Sequence, residues 1–283
     1  MFVTRFAPSP TGYLHLGHAL AATTANDAAR GGAFLLRIED LDRSRSRESF
    51  VDAIFEDLHW LGLSWEKPVR RQSSHMEAYR SAIAQLEDME LVYPCFCTRT
   101  DIAAEIARST EAPHGPDGPI YPGTCRQLST EDRSTRMRSG AAYVLRLDSA
   151  KAAASVGRLH FDETERGFPY TKFERVPVDP LLFGDIVLAR RDAPAAYHLA
   201  VVVDDAAQGV SLVTRGCDLL PSTHVQRVLQ SLLGLPAPQY AHHRLILDAE
   251  GRKMSKREGS RSLREYRSAG LTAVDIRAML QSV

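Results

Sequence analysis

Residues 2–38 constrain this chain more than any other stretch, because they switch twice between strand and helix periodicity around fixed turn signals. Residues 2–7 alternate apolar and polar side chains as a short strand does, and Pro8 and Pro10 end the run. From Gly17 the segment HALAATTANDAAR reads as a helix stopped by Gly31 and Gly32. Residues 33–38 are a compact apolar strand running into the acidic turn Glu39-Asp40-Leu41-Asp42. Such a βαβ unit requires a parallel sheet and predicts a ligand site at the carboxyl ends of its strands.

Helix-like segments follow at 46–61 and 75–89. The stretch from about residue 108 to 126 is rich in Pro and Gly, a long excursion with strand-like runs beyond it at 142–148 and 158–162. Residues 93–176 are therefore expected to be an insertion that splits the first domain. The parallel sheet is expected to resume with strands at 185–190, 197–203 and 210–214, Asp204 and Asp205 forming a polar rim where the second of these ends. A helix over 222–233 with Ser222 as N-cap comes next, then a strand at 245–247 leading into a basic glycine-containing loop.

Formal net charge is zero, which argues against a strongly basic nucleic-acid-binding domain but not against a local basic patch. The N-terminus has no apolar signal-peptide core, and the longest apolar stretch, near residues 195–203, is too short to span a bilayer. Four cysteines do not make a disulfide scaffold in a chain of 283 residues. A cytoplasmic enzyme without membrane contact, working as a monomer, is the expectation.

Two constellations carry chemistry. In APSPTGYLHLGH, Gly12 and Gly17 let a planar ring or a phosphate approach the main chain, and His15 and His18 stand three apart at a helix start. The N–H groups and dipole of that helix end favour polyphosphate, although a capped helix entry with ordinary polar histidines explains the same residues. Near the other end, Lys253-Met254-Ser255-Lys256-Arg257 follows Gly251, and its lysines can converge on triphosphate oxygens; alone, it reads as a solvated basic turn.

The ordered pair H-x-G-H and K-M-S-K-R resembles the signatures of class I aminoacyl-tRNA synthetases. The runs RFAPSPTGYLHLGHA, FLLRIEDLDRSR and YHLAVVVDD narrow the resemblance to the glutamyl branch. It implies an α/β fold with a Rossmann-type catalytic domain split between 1–92 and 177–234. It also implies a zinc-containing α+β insertion at 93–176, a loop segment and short helical tail at 235–283, and no anticodon-binding domain. Only 26 residues follow Arg257, which points to the truncated glutamyl-queuosine tRNA(Asp) synthetase family. Its members activate glutamate as an adenylate without tRNA, then attach it to queuosine at the wobble position of tRNA(Asp).

The same resemblance sets L-glutamate against Arg5, Ser9, Glu39, Tyr197 and Arg215, and ATP against Gly17, His18 and Lys256. His15, His18, Lys253 and Lys256 become the catalytic set, and Mg²⁺ accompanies ATP. Arginines suit a dicarboxylic substrate because they recognise carboxylates bidentately, and Glu39 suits its ammonium group. Cys95, Cys97, Tyr121 and Cys125 match the family's C-x-C…Y-x-x-x-C pattern for one Zn²⁺, with His114 the chemical alternative for the fourth donor and reduced buried cysteines the plain explanation. Cys217 reads as a small core or pocket residue. Rival activities are charging of a tRNA 3′ end, a catalytically silent tRNA-binding module, and a small-molecule adenylate-forming ligase.

Overall fold

The computed structural model describes residues 1–108, 114–164, 170–190, 195–247 and 261–282. The chain opens β1 (Val3–Phe6), α1 (Leu16–Ala28), β2 (Ala33–Ile38), and β1 pairs parallel with β2 from Val3–Ala33 to Phe6–Leu36. Small side chains make the crossover close: Ala19, Ala22, Ala25 and Ala28 form the buried stripe of α1, and the Thr4 hydroxyl donates to the Ala25 carbonyl at 2.7 Å. Gly32 must be glycine, since a Cβ there would collide with the Phe2 carbonyl. Then come α2 (Glu48–Trp60), β3 (Glu66–Arg71), which extends the sheet in parallel beyond β2, and α3 (Met76–Asp88).

The excursion contains β4 (Val92–Cys95), α4 (Arg99–Arg108), the short pair β5 (His114–Gly115) and β6 (Gly118–Pro119), α5 (Thr130–Arg138), β7 (Val144–Leu147) and α6 (Ser149–Val156). Strands β8 (His160–Thr164) and β9 (Phe173–Pro177) follow. Next are β10 (Val187–Arg190), α7 (Tyr197–Ala207), β11 (Leu212–Gly216), α8 (Ser222–Leu232), β12 (Gln239–His243), α9 (Leu263–Ser268) and α10 (Ala273–Ser282). Strands β11 and β12 pair in parallel, β8 joins β12 in parallel at Tyr240–Glu163, and β9 runs antiparallel on β8. The two sheets meet where the Ser211 N–H donates to the Val3 carbonyl at 2.9 Å, which brings the carboxyl ends of β1 and β11 to one pocket. Among the described residues no helix is long and apolar enough to cross a membrane.

Four local expectations are corrected. Residues 197–203 are not a strand but the first part of α7, because a continuous apolar run fits a helix buried on all sides as well as a buried strand. Residues 185–190 supply β10, which pairs antiparallel with β7 rather than extending the parallel sheet, after a turn at Gly184 with φ +58°. The strand expected at 245–247 lies earlier, as β12. Ser222 is not the N-cap: Pro221 takes that position in helical geometry without a side-chain cap, and Ser222 is buried in the first turn.

The C-terminal helices dock on α2 through a costly contact. Asp57 is 1% exposed, neither carboxylate oxygen has a hydrogen-bond partner, and Arg267 reaches only to 3.7 Å. Burial pushes Asp57 up to about 6 despite the pull of Arg267. A raised folded-state value means that the stability is fully present below the unfolded value near 4 and is lost as pH rises through about 6. Asp57→Asn should therefore gain on the wild type by on the order of 1 kcal/mol between pH 5 and pH 8 in urea denaturation. A pH-independent difference would contradict this account.

Candidate active site

The carboxyl ends of β1 and β11 and the start of α1 enclose a cavity of about 480 Å³. Arg5, Ser9, His15, Gly17, His18, Glu39, Tyr197 and Arg215, expected from the sequence to share one site, all line it. Lys253 and Lys256 lie outside the described residues.

At the helix start the histidines cap each other's turn. The His15 N–H donates to His18 Nδ1 at 3.2 Å and the Gly17 N–H donates to His15 Nδ1 at 3.1 Å, with ring centroids 3.9 Å apart. An Nδ1 that accepts a backbone N–H leaves the neutral imidazole's proton on Nε2. Both rings, which line the cavity, thereby carry their proton on Nε2. Gly17 makes this possible, since a Cβ there would press on the His15 ring at 3.0 Å.

Behind the cavity is a charge cluster that sequence reasoning only touched. Asp205 receives Arg5 Nε at 3.0 Å and Arg37 at 2.6 Å, and Arg5 also donates to the Thr214 carbonyl at 3.2 Å. Arg37, fully buried near the carboxyl end of the otherwise apolar β2, reaches Glu39 at 3.3 Å. Asp204 accepts from Arg70 at 2.7 Å, Gln72 at 2.8 Å and the Tyr79 hydroxyl at 2.9 Å. The pair is thus no polar rim at a strand end; both aspartates face inward from α7 and are buried. Burial opposes ionisation of Asp205, but Arg5 and Arg37 hold its carboxyl below the usual range. Glu39 goes the other way: burial pushes it up, against the pull of Arg37 and Arg5.

Arg215 is held differently. Its Nε–H donates to His242 Nε2 at 3.0 Å, and its terminal nitrogens donate to the Gln226 side-chain oxygen at 2.8 Å and the Thr223 hydroxyl at 2.7 Å. Every one of these acceptors is neutral, so among the described residues no direct contact balances the charge of this buried guanidinium at the cavity. Such a site favours an anion. Neighbouring His198 is pushed down to about 4 by burial and by Arg215, and stays neutral beside it. Thr223, Gln226 and His242 carried no motif signal in the sequence; Arg37 did, as a lone charge inside FLLRI.

In the excursion, Cys95 ends β4 and Cys125 sits in a 3-10 turn at Thr124–Gln127. The sulfurs of Cys95, Cys97 and Cys125 lie within 4.8 Å of one another. The Tyr121 hydroxyl is 3.6 Å from Cys97 Sγ and accepts the Cys125 N–H at 2.9 Å. The three sulfurs could hold a metal ion, and three thiols with one oxygen are a donor set of the kind Zn²⁺ takes. His114 is exposed in β5 and is not in the cluster. Cys217 is exposed in a 3-10 turn, not in the core or the pocket lining.

Residues 1–281 match the family model of class I tRNA synthetases (E and Q), catalytic domain. The chain is 46% identical to a glutamyl-Q tRNA(Asp) synthetase of Rhodobacter capsulatus over 98% of this chain and 99% of that one. It is 44% identical to a glutamyl-Q tRNA(Asp) synthetase of Nocardia farcinica over 98% of this chain and 82% of that one. Among solved structures, a glutamate tRNA ligase from Elizabethkingia meningosepticum in complex with its amino acid aligns with a TM-score of 0.72 and 29% identity. That alignment covers 91% of this chain and spans about half, 52%, of the other. The chain is a ligase-type enzyme and belongs to the class I tRNA synthetase family, in the catalytic-domain group of the glutamate and glutamine members.

Proposed function

We propose that this protein activates L-glutamate with ATP as glutamyl-adenylate and transfers it to queuosine at the wobble position of tRNA(Asp). The observation that carries the first half is Arg215, a buried cation whose hydrogen-bond partners among the described residues are all neutral, in a cavity that also presents Glu39. The α-carboxylate must stay available to attack phosphorus, so Arg215 takes the side-chain carboxylate. Glu39 takes the ammonium group, and Ser9, Tyr197 and Arg5 complete the amino-acid site, Arg5 through the donors that Asp205 and Thr214 leave it. The acceptor nucleoside rests on the two relatives bearing that name.

In the first step the glutamate α-carboxylate attacks the α-phosphate of ATP in line, and pyrophosphate leaves. No protein nucleophile takes part; orientation and charge stabilisation supply the rate. His15 and His18 donate from Nε2 to the phosphates beside Gly17, and Lys253 and Lys256 meet the charge developing on pyrophosphate. Mg²⁺ bound with ATP shares that charge. In the second step a ribonucleoside hydroxyl attacks the adenylate carbonyl and AMP leaves.

The setting is the cytoplasm. Residues 1–92 and 177–234 form the split catalytic domain, and 93–176 the insertion, where Cys95, Cys97, Cys125 and Tyr121 hold a structural Zn²⁺ that orders the Pro- and Gly-rich loop. Glutamate-dependent ATP–pyrophosphate exchange without tRNA is the direct test. Arg215→Gln should lower kcat/KM for glutamate about a hundred-fold, and Lys256→Ala should slow exchange about as much; an unchanged rate removes the residue from its role. Labelled glutamate should reach the anticodon loop of tRNA(Asp) only when queuosine is present, and label at the 3′ end would overturn the acceptor. Purified protein should carry about one equivalent of zinc, which Cys125→Ser should lose.

A further inference from the structure

Three neighbouring strands bring three side chains into one line. Arg215 and His242 are direct partners in the parallel register of β11 and β12, and Glu163 stands on β8, the next strand. Glu163 holds His242 twice: Oε1 accepts the His242 backbone N–H at 2.9 Å, and Oε2 lies 2.7 Å from Nδ1. On the far side of the ring, Nε2 accepts from Arg215 Nε at 3.0 Å. The imidazole also lies parallel to the Tyr240 ring, at 4° with centroids 6.2 Å apart, and the Arg215 guanidinium sits 5.5 Å from that ring's centroid.

The chemistry allows one protonation state. A carboxylate only accepts, so Nδ1 carries the proton; a guanidinium only donates, so Nε2 must be bare. A doubly protonated ring would set N–H against N–H and cation against cation. Burial lowers the proton affinity of His242 and Arg215 lowers it further, against the pull of Glu163. The ring is neutral, with its tautomer fixed by the groups at its two ends.

We infer that Glu163 and His242 are positioning residues for Arg215, orienting its guanidinium towards the substrate carboxylate without neutralising it. This rests on the assignment of Arg215 to the glutamate side chain. A carboxylate touching Arg215 directly would compete with the substrate. Interposing a neutral imidazole keeps the aiming and withholds the competing charge. With Thr223 and Gln226 the relay engages three of the five guanidinium N–H groups and leaves two for the ligand. The relay also carries a strand of the excursion, β8, into the wall behind the amino-acid site.

Glu163 must accept twice, and a glutamine in its place has one acceptor. Glu163→Gln therefore either loses the backbone contact or drives the imidazole proton to Nε2, facing Arg215. In glutamate-dependent exchange, Glu163→Gln and His242→Ala should raise KM for glutamate roughly ten-fold or more, with kcat and KM for ATP within about two-fold of wild type. His242→Gln, whose side chain both donates and accepts, should recover most of the loss. Long-range ¹H–¹⁵N correlation spectra of the wild type should show His242 as the Nδ1–H tautomer between pH 6 and 8.

If Arg215→Gln raises KM for glutamate while Glu163→Gln and His242→Ala leave it within about two-fold, the relay is refuted and the site assignment stands. If Arg215→Gln leaves KM unchanged, the site assignment itself fails. Equal losses in kcat and both KM values would mean general structural damage and overturn the positioning role. So would an Nε2–H or titrating His242 in the spectra, a readout that does not depend on the variants' folding.

Discussion

The rest of the site depends on Asp205, a buried carboxylate held between Arg5 of β1 and Arg37 of β2. Isolated burial of any one of these charges would cost several kcal/mol, and breaking such a pair from one side costs about 3–5 kcal/mol. The cluster balances its charges, although Arg37 Nε, 3.8 Å from Asp204, makes no hydrogen bond. Arg5, Arg37 and Arg70 stand against Asp204, Asp205 and Glu39, with Gln72, Tyr79 and Gln208 taking further hydrogen bonds. Since α7 comes from the far side of the excursion, these ion pairs clamp the late part of the chain onto the first βαβ unit. They also position Glu39, whose carboxyl is tied to Arg37 before any ligand arrives.

Arg215 is the counterexample on the same wall. Arg5 and Arg37 have aspartate partners, while Arg215 has a hydroxyl, an amide oxygen and an imidazole. The difference is electrostatic: carboxylates meet the charges of Arg5 and Arg37, and neutral dipoles meet that of Arg215. A guanidinium held by neutral dipoles gains more from a charge-assisted contact than one already paired with a carboxylate. An anion placed at Arg215 would thus gain from what is kept away from the guanidinium as much as from its charge.

Some of this was legible in the sequence. The βαβ unit followed from periodicity and from Pro8, Pro10, Gly31 and Gly32, because turn chemistry is local. The clustering of Cys95, Cys97, Tyr121 and Cys125 was expected from the family pattern that they match. What failed was non-local. VVV in α7 has strand-forming side chains, and only its burial among other elements makes a helix suit it. Asp204 and Asp205 read as a rim because an exposed carboxylate needs no partner; their partners Arg5, Arg37 and Arg70 lie more than 130 positions away. Glu163 carried no signal, since its meaning depends on β8 joining β12, a pairing that no local pattern specifies.

His15 and His18 show why a structural and a chemical explanation of one motif need not compete. As caps they satisfy backbone N–H groups that a helix start would otherwise leave unpaired. The same bonds occupy Nδ1, which forces the proton of each neutral ring to Nε2 at the cavity wall. A pair of ordinary polar residues in that place could cap, but would not carry two ring N–H groups of fixed tautomer. The cap is therefore what fixes the tautomer of both rings. Gly17 belongs to the motif for the same reason, since the His15 ring needs the space that a Cβ would fill.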